Sequence, residues 1–429
     1  MYLMLKRVPT SDIELGMFIH KLEGSWFKHP FWKSRFLLTD EKTLDSLLNS
    51  DVPSVVIDTE RGLDVRPVRR DATGGAVADR APARRPMPSP APRLRAVAPA
   101  ASADPYAPTT TAKEFGRCRK NMVHVGRVVS RVFLEARLGK AISSQDVEPV
   151  IEEVYASVQR NLYAFNGLLR CQQDNEYVYR HSLAVSALMI ALARQLRLSP
   201  NDMRDAGMAG LLMDVGVGQL PVDEIPPQGD YRALPPDLLE QHVLLGHALL
   251  KSAGDIPPRV VEACLNHHER LDGTGYPNKL SGLEIDLFGR MAAICDCYDN
   301  FVSGGAGRPA LDPAEAIRAL VAMGPKLDRD VLRAFVETLG VYPIGSFVRL
   351  RSERLAMVVD EDPADTTRPT VRTFYSLILE KRIRSETIAL ANCFGEDEIV
   401  GIADLTGLDI PDVTDLRASI LASFGREAA

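Results

Sequence analysis

The sequence predicts a mainly α-helical bundle behind a small N-terminal α+β domain, with a short β-containing C-terminal appendage. Three observations carry this prediction. Apolar residues recur at steps of three and four through most of residues 113–340, the period of helices packed as a bundle. An Ala/Pro/Arg-rich stretch separates that region from a short segment with strand-like runs. Beyond Gly340 the pattern turns β-like again. The length of 429 residues suits two or three domains at roughly 100–200 residues each.

Residues 1–64 read as the small α+β domain. Gly16-Met17-Phe18-Ile19 and Ser54-Val55-Val56-Ile57 have β character, and Thr43 to Leu48 is more helical. Trp26, Phe31 and Trp32 are expected to fill its core, since aromatic side chains dominate small cores. Residues 65–112 are expected to be a disordered linker. Closely spaced prolines from Pro82 to Pro92 remove helical periodicity, and too little apolar surface remains to order the chain. Its arginines are read as solvating the linker.

Residues 113–345 are expected to form the bundle and its preceding helices. Val125, Val128, Val129 and Val132 share one helical face, and Val150, Val154 and Val158 share another. Residues 346–429 form the appendage. Ser346 to Leu350 and Leu355 to Val359 read as strands, with an Asp362-Pro363 turn signal beyond.

The formal net charge of -6 supplies no global attraction to DNA or an anionic membrane. The run Leu183 to Ala193 is far shorter than the about 20 apolar residues that span a bilayer. No signal-peptide core is present at the start of the sequence. The six cysteines are scattered, and Cys295 and Cys297 are too tightly spaced for a zinc ribbon, which fits buried thiols in a reducing cytoplasm.

The chemistry concentrates in a few residues. His181 shares a face with Val185, Leu188 and Leu192 and is expected to point into the bundle. Asp214 follows a helix over Ala206 to Met213, with Gly216 the expected stop. His242 shares a face with Gly246 and Leu249. His267 and His268 end a helix bearing Val260, Val261 and Cys264. Asp296 lies on a helix with Phe288, Ala292 and Asp299. Five helices thus deliver imidazoles or carboxylates to one interior. Burying that many polar groups is costly unless they are paired or bind metal. A lone histidine is more often an ordinary core or surface residue, and His20, His29, His124 and His247 are read that way. Imidazole with carboxylate suits iron, manganese or zinc.

The run His267-His268-Glu269-Arg270-Leu271-Asp272-Gly273-Thr274-Gly275-Tyr276-Pro277 resembles the signature of the HD-GYP family, metal-dependent phosphodiesterases of bacterial cyclic di-GMP signalling. The resemblance covers roughly residues 150–350. Glu14-Leu15-Gly16-Met17, Ser25-Trp26 and His29-Pro30-Phe31 resemble a domain of unassigned function often found before HD-GYP domains. The resemblance implies two or three metals, with a bridging water or hydroxide attacking a phosphodiester phosphorus. It implies that Asp214 bridges two metals and acts in catalysis. His242, His267 and His268 complete one site, and His181 and Asp296 belong to the other. It also implies that the Gly-Tyr-Pro loop contacts partner domains such as a diguanylate cyclase.

Two departures fall together. Met213-Asp214 stands where the family has His-Asp, and a thioether is a soft neutral donor, a poor substitute for imidazole. Asp214-Val215-Gly216-Val217 stands where the family usually has Asp-x-Gly-Lys, removing a lysine expected to meet phosphate. Arg270 and Arg290 are the remaining candidate phosphate partners. The expectation is one well-held divalent metal, iron or manganese, beside a weak or empty position. The resulting reading is a cyclic di-GMP phosphodiesterase of reduced activity. The alternative is an inactive receptor or scaffold that binds cyclic di-GMP or a diguanylate cyclase partner. A phosphohydrolase for another nucleotide is opposed by the intact loop. A homodimer is compatible with the sequence.

Overall fold

A computed structural model of the chain describes residues 5–10, 13–23, 36–39, 44–45, 48, 54–59, 61–63, 104–162, 164–165, 177–222, 229–362, 365–393, 397–410 and 412–427. Trp26, His29, Phe31, Trp32 and nearly all of the 65–112 segment lie outside these residues. The chain divides into two units, 1–95 and 96–429.

The first unit is built on an antiparallel sheet. Its strands are β1 (Leu5–Pro9), β2 (Phe18–Glu23), β3 (Phe36–Leu37) and β4 (Ser54–Asp58), in the order β1-β4-β2-β3. Both runs read as β contribute to it, and Leu44, Asp45 and Leu48 are helical. Val8, Ile13, Met17, Ile19, Leu38, Val55 and Ile57 form its core.

The second unit opens with α1 (Thr111–Arg137) and α2 (Ser144–Arg160). Val125, Val129 and Val132 of α1 and Val150, Val154 and Val158 of α2 are buried, as their spacing predicts. A buried pair joins the two helices, with Arg160 Nε and Nη2 donating to Glu114 at 2.8 and 2.7 Å. Two parallel N–H···O bonds satisfy charges that would be expensive to bury singly.

The bundle continues with α3 (Tyr177–Gln195), α4 (Pro200–Leu212), the single turn α5 (Pro236–Leu239), α6 (His242–Ala253), α7 (Pro258–Asn266), α8 (Leu287–Ser303), α9 (Pro313–Ala322) and α10 (Arg329–Leu339). Helix α3 is buried on every side from His181 to Ala193, the property of a central helix rather than a surface one. That explains why Leu183 to Ala193 is apolar apart from Ser186. Among the described residues no helix is long and apolar enough to cross a membrane.

One expectation is corrected. Gly216 does not stop α4. It sits inside a 3-10 turn, Val215–Gln219, packed directly on α6. A Cβ at Gly216 would lie 2.0 Å from the His242 carbonyl oxygen and 2.4 Å from the Gly246 nitrogen. The glycine is needed for backbone contact, which brings Asp214 beside His242.

The C-terminal part is larger than short strand runs imply. It holds β5 (Phe347–Leu350), β6 (Arg354–Asp360), β7 (Thr370–Ser376), β8 (Lys381–Arg382), β9 (Thr387–Ala389) and β10 (Ile399–Ile402) in one antiparallel sheet. Helix α11 (Val413–Glu427) packs Leu416, Ile420 and Leu421 into the sheet's apolar core. The Thr111 hydroxyl donates to Asp360 at 2.6 Å, tying β6 to the start of α1.

Glu361, just past β6, is buried, and neither carboxylate oxygen has a hydrogen-bond partner among the described residues. Burial, with Asp360 and Asp362 nearby, pushes its carboxyl up to about 9. The folded state therefore holds a proton that the unfolded chain releases at lower pH. Glu361's contribution is fully present in acid, declines as pH rises above the ordinary carboxyl range, and levels off past about 9. Glu361→Gln should raise the melting temperature at pH 8 and leave it unchanged near pH 4. The difference between the two proteins should grow by at most about 1.4 kcal/mol per pH unit, measured by denaturant unfolding across that range.

Candidate metal centre

Four helix ends and two helix interiors meet around Asp214. The helix α4 ends at Met213, and Asp214 begins the 3-10 turn. His242 is the first residue of α6, and His267 caps α7 with His268 next in the chain. His181 and Asp296 come from within α3 and α8. All six predicted ligands are brought together. Donor atoms of Asp214, His242, His267 and His268 lie within 4.8 Å of one another, and so do those of His181, Asp214 and Asp296.

Asp214 is shared between the two groups. Its Oδ2 lies 3.2 Å from His181 Nε2, and its Oδ1 lies 3.3 Å from His242 Nε2 and 3.5 Å from His267 Nε2. Burial alone would raise this carboxyl. Hydrogen bonds from His181, His242 and His267 reverse the effect and hold it well below the usual carboxylate range.

The histidines are oriented by their other ring nitrogens. His242 Nδ1 donates to the Leu239 carbonyl at 2.6 Å, and His267 Nδ1 donates to the Cys264 carbonyl at 2.9 Å. A carbonyl can only accept, so both Nδ1 atoms carry a proton and both Nε2 atoms face Asp214, each protonated where it hydrogen-bonds to the carboxylate and presenting a lone pair where a cation takes that proton's place. Those Nε2 atoms are 3.3 Å apart. Two lone pairs and a carboxylate converging in a buried space repel unless a proton or a cation lies among them. The donor set therefore fits a divalent metal.

His181 follows the same rule. Its Nδ1 donates to Asp299 at 2.8 Å, and its Nε2 faces Asp214 and Asp296, each at 3.2 Å. Burial disfavours a charged ring, but the Tyr177 hydroxyl and the three carboxylates outweigh it and raise its pKa well above the ordinary value. His268 is opposite in sense. Burial and then the neighbouring His267 and His242 push it well below its ordinary value, so it stays neutral and able to ligate.

The Gly-Tyr-Pro loop acts through His268. The Tyr276 ring stacks on the His268 ring at 4.7 Å between centroids. Buried Glu269 grips the loop, accepting from the backbone of Asn278 at 2.7 Å and Leu280 at 3.0 Å. A Cβ at Gly275 would lie 2.4 Å from Glu269 Cα, so only glycine permits this closeness. The loop thereby presses a ligand imidazole into position.

The candidate arginines are used elsewhere. Arg270 donates to the carbonyls of His267 and Glu269 and to Cys297 Sγ. Arg290 pairs with Asp328 at 2.6 Å, the residue that caps α10. Neither lines the cavity beside the metal ligands. That cavity, of about 60 Å³, is lined by His181, Asp214, His242, His268 and Asp296 together with Tyr177, Val217, Arg232 and Asn300. Tyr177, Arg232 and Asn300 were not anticipated. Tyr177 precedes His181 by four residues and Asn300 follows Asp296 by four, a helical spacing that marks a shared face. Arg232 lies on a 3-10 turn with no periodicity to reveal it.

Met213 is fully buried in the bundle's apolar core. Val217 is an apolar wall of the cavity. Burial also pushes the Cys297 thiol up to about 12 and raises Cys295 strongly, which keeps both neutral and unreactive, as their spacing implied.

Comparisons with known proteins identify the family. A family model described as an HD domain matches residues 168–331, and one described as a domain of unknown function (DUF3391) matches residues 5–147. The chain is 35% identical to the protein named cyclic di-GMP phosphodiesterase PA4108 of Pseudomonas aeruginosa, over 98% of each chain. The chain belongs to the HD-GYP family. A Thermotoga maritima protein named cyclic di-GMP phosphodiesterase is 27% identical to this HD-GYP protein, over 44% of this chain and 53% of that one. Among solved structures, the HDG"Y"P protein Bd1817 from Bdellovibrio bacteriovorus has a TM-score of 0.43 at 15% identity, covering 77% of this chain and 98% of that one. The HD-domain match includes Met213-Asp214 and every candidate ligand. An HD domain with this donor set is a divalent-metal site.

Asp299 touches only the Nδ1 side of His181 among the ligand imidazoles. Replacing it with Asn should remove the carboxylate charge that supports and orients the ring while leaving all six donors in place. Asp299→Asn is expected to lower metal affinity by about 10- to 100-fold, measured by competition with a chelator. The circular dichroism spectrum should stay that of the parent protein.

Proposed function

We propose that this chain is a metal-dependent phosphodiesterase that hydrolyses cyclic di-GMP in bacterial second-messenger signalling, with activity reduced by Met213 and Val217. One observation carries the reading. Two donor groups share the Asp214 carboxylate at the wall of a single cavity. A pair of divalent ions held there supplies a nucleophilic hydroxide at neutral pH and neutralises charge on the attacked phosphate.

The chain's own residues do the rest. Asp214 is the bridging and catalytic residue, joined by His242, His267 and His268 on one side and by His181 and Asp296 on the other. Backbone carbonyls and Asp299 hold the imidazoles with Nε2 forward, so little rearrangement is needed when an ion enters. The cavity has room for a few water molecules or one phosphate group, and the rest of a cyclic dinucleotide lies outside it. Imidazole and carboxylate donors suit iron, manganese or zinc, and the reading takes iron or manganese. The site of His242, His267, His268 and Asp214 is the better held. The other retains three protein donors and lacks an imidazole from position 213.

The reading extends to partners and place. Asp272 and Thr274 are exposed on the outer side of the Gly-Tyr-Pro loop, the surface we assign to a diguanylate cyclase domain. On this reading the enzyme acts in the cytoplasm, where cyclic di-GMP is the substrate, and a homodimer is compatible with it. The buried Met213 and apolar Val217 favour a second reading, a receptor that binds cyclic di-GMP without turnover.

Protein purified anaerobically should contain iron or manganese and hydrolyse cyclic di-GMP. Asp214→Ala should abolish turnover and at least halve metal content. Tight binding with no turnover would establish the receptor instead. Met213→His should raise both metal occupancy and rate. An unchanged value of both would remove position 213 as the cause of reduced activity.

A further inference from the structure

The metal ligands account for most polar residues around the cavity. They leave unexplained a cation that lines the same space. Among the described residues, Arg232 is the one arginine or lysine in the cavity wall. Its guanidinium is held from several sides. Nε and Nη2 donate to Asp230 at 2.7 and 2.8 Å, Nη2 also donates to the Gly304 carbonyl, and Nη1 donates to Asn300 at 2.9 Å. The group lies over the Tyr177 ring, 3.6 Å from its centroid. Among the described residues four of its five N–H bonds are thereby engaged, and one on Nη1 has no partner.

The same side chains connect Arg232 to the metal ligands. Asn300 accepts from both Arg232 and the Tyr177 hydroxyl, the latter at 2.6 Å, and its amide donates to Asp296 at 2.7 Å. Tyr177 stacks on His181 with ring centroids 5.3 Å apart. A guanidinium fixed this firmly is pre-organised, so an arriving oxyanion pays little ordering entropy. Val217, also in the wall, has an apolar side chain that can donate nothing to a phosphate.

We propose that Arg232 is the phosphate anchor of this site: the free Nη1–H and the guanidinium charge receive a non-bridging oxygen of a phosphate seated on the metal ligands. Asp230, Asn300 and Tyr177 are positioning residues that hold the guanidinium plane. The ligand class is a phosphate mono- or diester, with inorganic phosphate its smallest member. The inference deepens the reading given under Proposed function by naming the residue that meets the phosphate.

The test uses the full chain loaded with Mn²⁺ and inorganic phosphate as probe, with calorimetric Kd values and metal content measured for the parent, Arg232→Gln and Arg232→Lys. Loss of one charge-assisted hydrogen bond should weaken phosphate binding by about tenfold or more in Arg232→Gln, with Arg232→Lys in between. Metal content should stay that of the parent in both. Unchanged phosphate affinity in Arg232→Gln overturns the proposal, as does a parent that binds no phosphate. A fall in metal content that parallels the loss of phosphate binding also overturns it, since Arg232 would then be a brace for the metal ligands. The outcome is separable from the functional reading. A parent that binds phosphate through Arg232 yet neither binds nor cleaves cyclic di-GMP retains the anchor and loses the assigned substrate.

Discussion

The Asp214 carboxylate is the constraint on which the bundle's interior depends. One oxygen faces His181 and the other faces His242 and His267. Those partners come from three helices, so each helix has to arrive at a set depth and rotation. The packing provides this. Gly216 lets the 3-10 turn touch the backbone of α6, and Gly207 and Gly210 let α4 press against Val185, Ser186 and Ile190 of α3. An acidic group buried this deeply is tolerable only because its partners hold it ionised. The same carboxylate belongs to both groups of candidate metal donors.

Around that carboxylate, each imidazole is fixed by what its second nitrogen donates to. Backbone carbonyls at Leu239 and Cys264 serve His242 and His267, and the Asp299 carboxylate serves His181. His268 lacks such a partner at short range and is held by Tyr276 instead. This assigns a physical task to the signature loop. Glu269 clamps the loop backbone, Gly275 lets it lie close, and the tyrosine face aligns the last ligand. The loop's outer side stays exposed, so one short segment links the metal ligands to the surface.

The segment Met213 to Val217 places two apolar side chains beside the candidate metal centre. Met213 joins the apolar core and Val217 lines the cavity. Neither leaves a buried polar group stranded. The polar character lost at position 217 has a counterpart in Arg232, which approaches the same cavity from a different turn.

Much of the site was legible beforehand. His181, Asp214, His242, His267, His268 and Asp296 carry metal-ligand chemistry, and helical spacing alone directs several of them inward, because period and side-chain type are local properties of the chain. The strands and the main helices were legible for the same reason. The fates of Arg270 and Arg290 were not. An arginine reads as a cation in any sequence, and only tertiary structure decides whether a carbonyl, Asp328 or a phosphate receives it. Arg232 escaped for the converse reason, since its turn is irregular and its partners Tyr177 and Asn300 lie 55 and 68 residues away in the chain. Local pattern determined which donors this protein carries. Helix packing decided which of them share an oxygen, which cation faces the cavity and how a glycine turn comes to steer a histidine, because those depend on distances between residues that no local period encodes.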